Sequence, residues 1–197
     1  RIGQSEPAPR FNVVAKPNDW SKTVEAAVRQ GELTEGRQKR LKFWTAFKEY
    51  MVANSKIRCQ KPAPQQWMNH SIGRSGFGLA SIVSTWDSQT SRFGSGELRV
   101  ELSMGDANAD AYFEQLKSNQ ADITKEIGET LTWHNPPDTR TRKIYVRCSA
   151  DVDDESKWPE YQVWLRGKLE AFYRVFAPRV KTLSKDAGIS DIAEKTN

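Results

Sequence analysis

Asp87 and Glu97 flank a polar, glycine-containing stretch, an arrangement that sets two carboxylates on the adjacent strands of a hairpin. Such a pair can hold a divalent cation through its oxygens and activate water for phosphodiester cleavage. That chemistry wants a lysine two residues after the second acid, and Arg99 stands there instead. A guanidinium does not readily deprotonate to serve as a base, so a salt bridge across the hairpin accounts for the three residues as well. Upstream, Ile72-Gly73-Arg74-Ser75-Gly76-Phe77 places an arginine between two glycines. Glycine lets backbone approach a phosphate closely, and Arg74 would add charge-assisted bonds. No GK[ST] ending makes this a Walker loop, and the same residues suit a tight turn leading into a strand.

Arg140, Arg142, Lys143 and Arg147, with Tyr145 among them, form a second basic group. Cations neutralise phosphates and an exposed ring stacks on a base, so the run reads as a track for a nucleic-acid backbone. It reads equally as a solvated sheet face paired with Glu101. Asp151, Asp153, Asp154 and Glu155 precede an apolar periodic segment, where acids cap a helix and suit its dipole without any metal. His70 and His134 have no Cys or carboxylate at ligand spacing, which argues against zinc. No nucleophile elbow or dinucleotide fingerprint occurs, so neither a catalytic residue, a metal nor a cofactor is expected. Trp44, Trp67, Trp133, Trp158 and Trp164 are expected in the core, whereas Trp86, beside the hairpin tip, can serve either purpose.

Hydrophobic periodicity supplies the scaffold for these groups. Leu98, Val100, Leu102 and Met104 alternate with Glu97, Arg99, Glu101 and Ser103, the signature of a half-buried strand. Its hairpin partner precedes a polar, glycine-rich connection around 90–96. Ile144, Val146 and Cys148 likewise oppose Lys143, Tyr145 and Arg147 in a later strand, after a shorter one at Leu131 and Trp133 and a turn at Asn135-Pro136-Pro137-Asp138. A first helix is capped by Asn18 or Asp19, carries Val24, Ala27 and Val28, and ends at Gly31. Thr34 can cap a second, with Leu41, Trp44, Phe47 or Lys48, and Met51 inward and Arg37, Lys39, Arg40 and Lys42 outward. Prolines bar a helix from Lys61 to Gln66, where Trp67 and Met68 anchor the crossing to the core.

Asp106 can cap a helix reaching Gly128, its stripe formed by Ala109, Tyr112, Phe113, Leu116, Gln120, Ile123 and Ile127. A last helix starts near Glu155 to Pro159, buries Leu165, Leu169, Phe172 and Phe176, and ends at Pro178. The fold class is α+β: an antiparallel sheet of about four strands in ββαββα order, covered by helices on one face, with an N-terminal helical arm. Residues 1–17 read as a linker, 18–183 as a single α+β domain and 184–197 as a flexible tail. The uncovered face would display Arg99, Glu101, Lys143, Tyr145 and Arg147.

Composition sets the outer limits. Seven Trp, eight Phe and five Tyr give enough buried surface to exclude a disordered chain, despite a mean hydropathy of -0.73. A net charge of +5 permits a polyanionic partner without requiring one. With only Cys59 and Cys148, outside any paired-ligand pattern, reduced thiols and a cytoplasmic location are expected. No apolar run is long enough to span a bilayer, so no membrane partner is expected.

Lys16-Pro-Asn-Asp-Trp20, Phe43-Trp44, Ile72-Gly-Arg-Ser-Gly-Phe77, Val100-Glu-Leu102, Trp158-Pro-Glu160 and Val175-Phe-Ala-Pro-Arg179 together resemble one bacterial family, the domain of unknown function 4268 family. The likeness covers nearly the whole chain. The resemblance also implies the C-terminal half of proteins with a restriction-endonuclease-like N-terminal domain, and hence an association with DNA processing or defence. It defines no catalytic residues. The reading that follows is a non-catalytic domain of a bacterial nuclease-like protein, in contact with DNA or other nucleic acid, or paired with another copy, positioning the nuclease-like domain. Arg74, Arg99, Lys143, Tyr145 and Arg147 are its expected contact residues. The alternatives are a metal-dependent phosphodiesterase using Asp87 and Glu97, and a homodimerisation module.

Overall fold

The computed structural model describes residues 34–185, with backbone alone at 93–95. The expected linker and first helix, and most of the expected tail, lie outside the described residues. In chain order the elements are α1 (Glu35–Asn54), β1 (Trp67–His70), β2 (Phe77–Asp87), β3 (Arg92–Met104), α2 (Ala109–Lys117), α3 (Gln120–Ile127), β4 (Thr132–His134), β5 (Arg142–Ser149) and α4 (Trp158–Thr182), the last entered through a short 3-10 turn at Glu155–Lys157. The strands form one antiparallel sheet in the order β1-β2-β3-β5-β4.

Alternation places Leu79, Val83, Leu98, Val100, Leu102, Met104, Ile144 and Val146 under the helices, all buried. Phe43, Trp44, Phe47 and Met51 come in from α1 and Leu165, Leu169, Phe172 and Phe176 from α4, completing one continuous core, and Leu41 is buried on α1 as well. The choice left open between Phe47 and Lys48 falls to Phe47, which is fully buried.

The sheet gains one strand over expectation. β1 inverts the usual polarity: Met68 and His70 point inward while Trp67, 45% exposed, points out. A strand of this length with histidine inside and tryptophan outside gives no alternation signal to read. The placement of Trp67 in the core is thereby corrected.

The single helix from Asp106 to Gly128 is two. Ser118 Oγ and Asn119 Nδ2 both donate to the Gln115 carbonyl, at 2.8 and 3.1 Å, and such side chains compete with the helical backbone bonds. Asp106 still accepts from the Asn108 amide, and Gly128, with φ +80°, closes α3. Nor does Pro178 end α4, which runs on to Thr182. Proline removes one backbone donor, but Val180 beyond it is fully buried and holds the last turn in place.

The hairpin connection is tighter than the expected 90–96 span. Asp87 Oδ1 accepts from the amides of Gln89 and Thr90, and strand pairing resumes at Arg92. At the base of this tip Gly96 is wedged between two backbone segments: a Cβ there would lie 2.4 Å from the Ser84 carbonyl oxygen and 2.8 Å from that of Ala150. Backbone cannot yield as a side chain does, so Gly96→Ala should cost about 2–3 kcal/mol of stability. A urea midpoint equal to wild type would show that the backbone here makes room for a methyl group.

Candidate functional site

β2, β3, β5 and β4 turn one side of the sheet away from the helices, and their register sets the side chains there in rows. Trp67 opposes Ile82 and Ile82 opposes Arg99, which in turn faces Arg147. One row along, Ala80, Glu101, Tyr145 and Thr132 lie side by side. Arg99, Lys143, Tyr145 and Arg147 therefore do share one face, as their alternation requires.

Their charges are engaged there. Arg147 Nε donates to Glu97 at 2.6 Å, its Nη2 stands 2.7 Å from Asp87, and Nη1 donates to Gln89 at 2.6 Å. Arg99 pairs with Glu97 and Glu101 and lies over the Tyr145 ring at 4.5 Å. Lys143 donates to Glu101 at 3.1 Å. Glu97, with 0% of its surface exposed, also accepts from the amide and hydroxyl of Ser88 as the hairpin tip folds toward it.

Burial works against ionisation of Glu97, yet the Ser88 amide, Arg99 and the Ser88 hydroxyl outweigh it and hold its pKa below the ordinary carboxylate value. Asp87 is held low chiefly by the Thr90 amide, with Gln89 and Arg147 adding to it against burial. Burial pulls Arg147 the other way, but Glu97 and Asp87 raise its pKa.

The pair Asp87 and Glu97 is thus brought together, and what bridges the two carboxylates is the Arg147 guanidinium. Among the described residues no group of three or more His, Cys, Asp or Glu side chains is placed to hold a metal ion.

Arg74 stands elsewhere. Its Nη1 donates to the carbonyls of Val180 and, at 2.8 Å, Leu183, while Nη2 donates to the Tyr112 hydroxyl at 3.0 Å. The guanidinium stacks over Tyr112 and Phe77 and closes the C-terminal end of α4, where the orphan carbonyls of a helix need donors. Gly73 and Gly76, with φ of +85° and +83°, make the turn that carries it there. Arg74 is therefore half-buried, engaged within the fold and away from the sheet face.

Arg142 departs from the expected basic track too. It occupies an inward position, 7% exposed, and binds Asp110 at 2.5 Å together with the Pro136 and Thr139 carbonyls. The acidic run is also satisfied within the fold. Asp154 accepts from the Ser156 amide as a cap, Asp153 pairs with Lys39 and Glu155 with Lys42. Cys59 and Cys148 are free thiols, half-buried, and burial pushes both pKa values up to about 11, so neither is a ready nucleophile at neutral pH.

Two features escaped the sequence reading. Trp67 borders a groove on the sheet face with Ile82, Ser84, Arg99, Glu101 and Lys143. A separate, larger cleft lies where the end of α1 meets α4, lined by Lys56, Arg58, Tyr173 and Arg174 among others. Residues so far apart in sequence gave no local pattern to notice.

Fold and face define an α+β domain with its helices on one side of an antiparallel sheet and a charge-paired, aromatic-bordered surface on the other. The chain belongs to the family described as a domain of unknown function (DUF4268), whose model matches residues 39–180. No curated protein and no solved structure matches it. Among the described residues no helix is long and apolar enough to cross a membrane.

Proposed function

We propose that this domain is a non-catalytic assembly module that pairs with a second copy of itself through the open sheet face. What supports the reading is the matching of charge on that face. Arg99, Lys143 and Arg147 are engaged by Glu97, Glu101 and Asp87, while Trp67 is exposed and Ile82 and Tyr145 are half-buried. A nucleic-acid phosphate would have to displace carboxylates already held at 2.6–3.1 Å. A surface with both signs in balance is instead compatible with its own two-fold copy, and aromatic rings and arginine are enriched where proteins meet. In line with the resemblance to C-terminal halves of nuclease-like proteins, the pairing would hold two catalytic halves together, with the chemistry outside this domain.

Light scattering on the purified chain should report a dimer, and Trp67→Ala combined with Ile82→Asp should convert it to monomer without loss of fold. A monomer at every concentration overturns the reading. Contact of this face with DNA is the rival. It requires duplex affinity that falls by about 0.9 log units per neutralised phosphate for each log unit of salt. Loss of that binding on Lys143→Glu, with the chain monomeric, would establish the rival in its place.

A further inference from the structure

We propose that the cleft between the C-terminal end of α1, the 55–58 segment and α4 binds single-stranded nucleic acid, phosphates on Lys56, Arg58 and Arg174 and a base on Tyr173. The cleft measures about 1100 Å³ and is open to solvent, which suits a polymer crossing it better than a small molecule sealed within. Several surface cations are each held by a carboxylate: Lys39 by Asp153, Lys42 by Glu155, Lys168 by Glu129, Arg179 by Glu126.

Here the pattern breaks. The side chains of Lys56 and Arg58 have no hydrogen-bond or ion-pair partner among the described residues, and Glu170 is the one carboxylate in the lining. Arg174 donates through Nη2 to the Glu126 carbonyl at 3.0 Å and its charge also acts on the Glu126 carboxylate, while no partner is seen for its other nitrogens among the described residues. At the rim the Lys181 side chain comes within 3.6 Å of where a Cβ on Gly73 would sit. Tyr173, 41% exposed, lines the same cleft, as does Val52 at 77%. Two unpaired cations and a partly engaged arginine in one cleft with an exposed ring are what a sequence-tolerant single-strand site requires, since every base offers a flat face and every linkage a charge.

An acidic peptide fits less well, because its amides would need partners. The nearest strand edge, that of β1, is already taken: Cys59 bridges to His70 and the Gln60 amide donates to the Asn69 carbonyl. The cleft shares no residue with the sheet face, so this site and the pairing of two copies stand or fall separately.

Fluorescence anisotropy of the full chain with a labelled oligothymidylate tests it. Binding should weaken by about 0.7 log units per neutralised phosphate for each log unit of salt. Lys56→Glu with Arg58→Glu should lower affinity by about tenfold or more, and Tyr173→Ala by about tenfold, with Tyr173→Phe close to wild type. All three residues are at the surface, so thermal midpoints should match wild type and separate lost binding from lost folding. Unchanged affinity in the double variant overturns the proposal. So does tighter binding to duplex than to single strand, or binding of polyglutamate in place of the oligonucleotide, which would assign the cleft to an acidic protein.

Discussion

Replacing Arg147 with alanine is expected to lower the unfolding free energy by about 3–5 kcal/mol, the usual consequence of removing one partner from a buried charge pair. Two carboxylates depend on it. Glu97 is fully buried and Asp87 3% exposed, and both are kept ionised partly by the guanidinium between them. Without it they face each other across the hairpin, and the remaining cation is Arg99, which is shared between Glu97 and Glu101. Adding Glu97→Gln to the Arg147→Ala chain should therefore recover part of the loss, because the amide keeps the Ser88 contact and drops the charge. Urea unfolding of the single and double variants measures this coupling. A midpoint for Arg147→Ala within error of wild type would mean that water already screens the cluster. The same measurement bears on metal binding. If a divalent cation belonged between Asp87 and Glu97, magnesium would stabilise the wild-type chain, and no such shift is expected while the guanidinium holds that place.

The second large effect is a loss of stability in mild acid, centred on His70. Its ring is 5% exposed, with Nε2 3.1 Å from Ser81 Oγ and Nδ1 3.3 Å from the Arg58 carbonyl. Burial pulls its pKa from 6.5 down to about 4, against the opposing influence of the Arg58 carbonyl. Between those values the unfolded chain takes up a proton that the folded one refuses. Stability is thus full above pH 6.5 and falls as the pH drops toward 4, by about 3 kcal/mol in all. The lowered carboxylates Asp87 and Glu97 act in the same direction but further down, from their ordinary values of 3.8 and 4.5 into stronger acid. Above pH 4.5 the loss therefore belongs to His70, and below it the carboxylates join in. His70→Gln, which keeps polar atoms but does not titrate, should flatten the upper part of the curve. An unaltered slope there would remove His70 as its source.

Much of the architecture was legible before any coordinates. Strict alternation in Leu98, Val100, Leu102 and Met104, and again in Ile144 and Val146, follows from the two-residue period of a strand, and all six are buried. The stripes of α1 and α4 follow just as directly from helical spacing. At Pro178 and Trp67 the reading failed because a tertiary contact had overruled a local preference. α4 passes Pro178 because Val180 packs beyond it, and Trp67 points outward because Met68 and His70 fill the core on the alternate positions. For the candidate contact residues, the sequence determined which side of the sheet Arg99, Lys143, Tyr145 and Arg147 occupy, since alternation alone decides that. Whether their charges stand free was decided only by the fold. Asp87, Glu97 and Arg147 meet because three strands place them side by side, and Coulomb attraction depends on distance in space, not along the chain. Arg74 shows the same limit, as its acceptors near the end of α4 lie more than a hundred residues away in sequence.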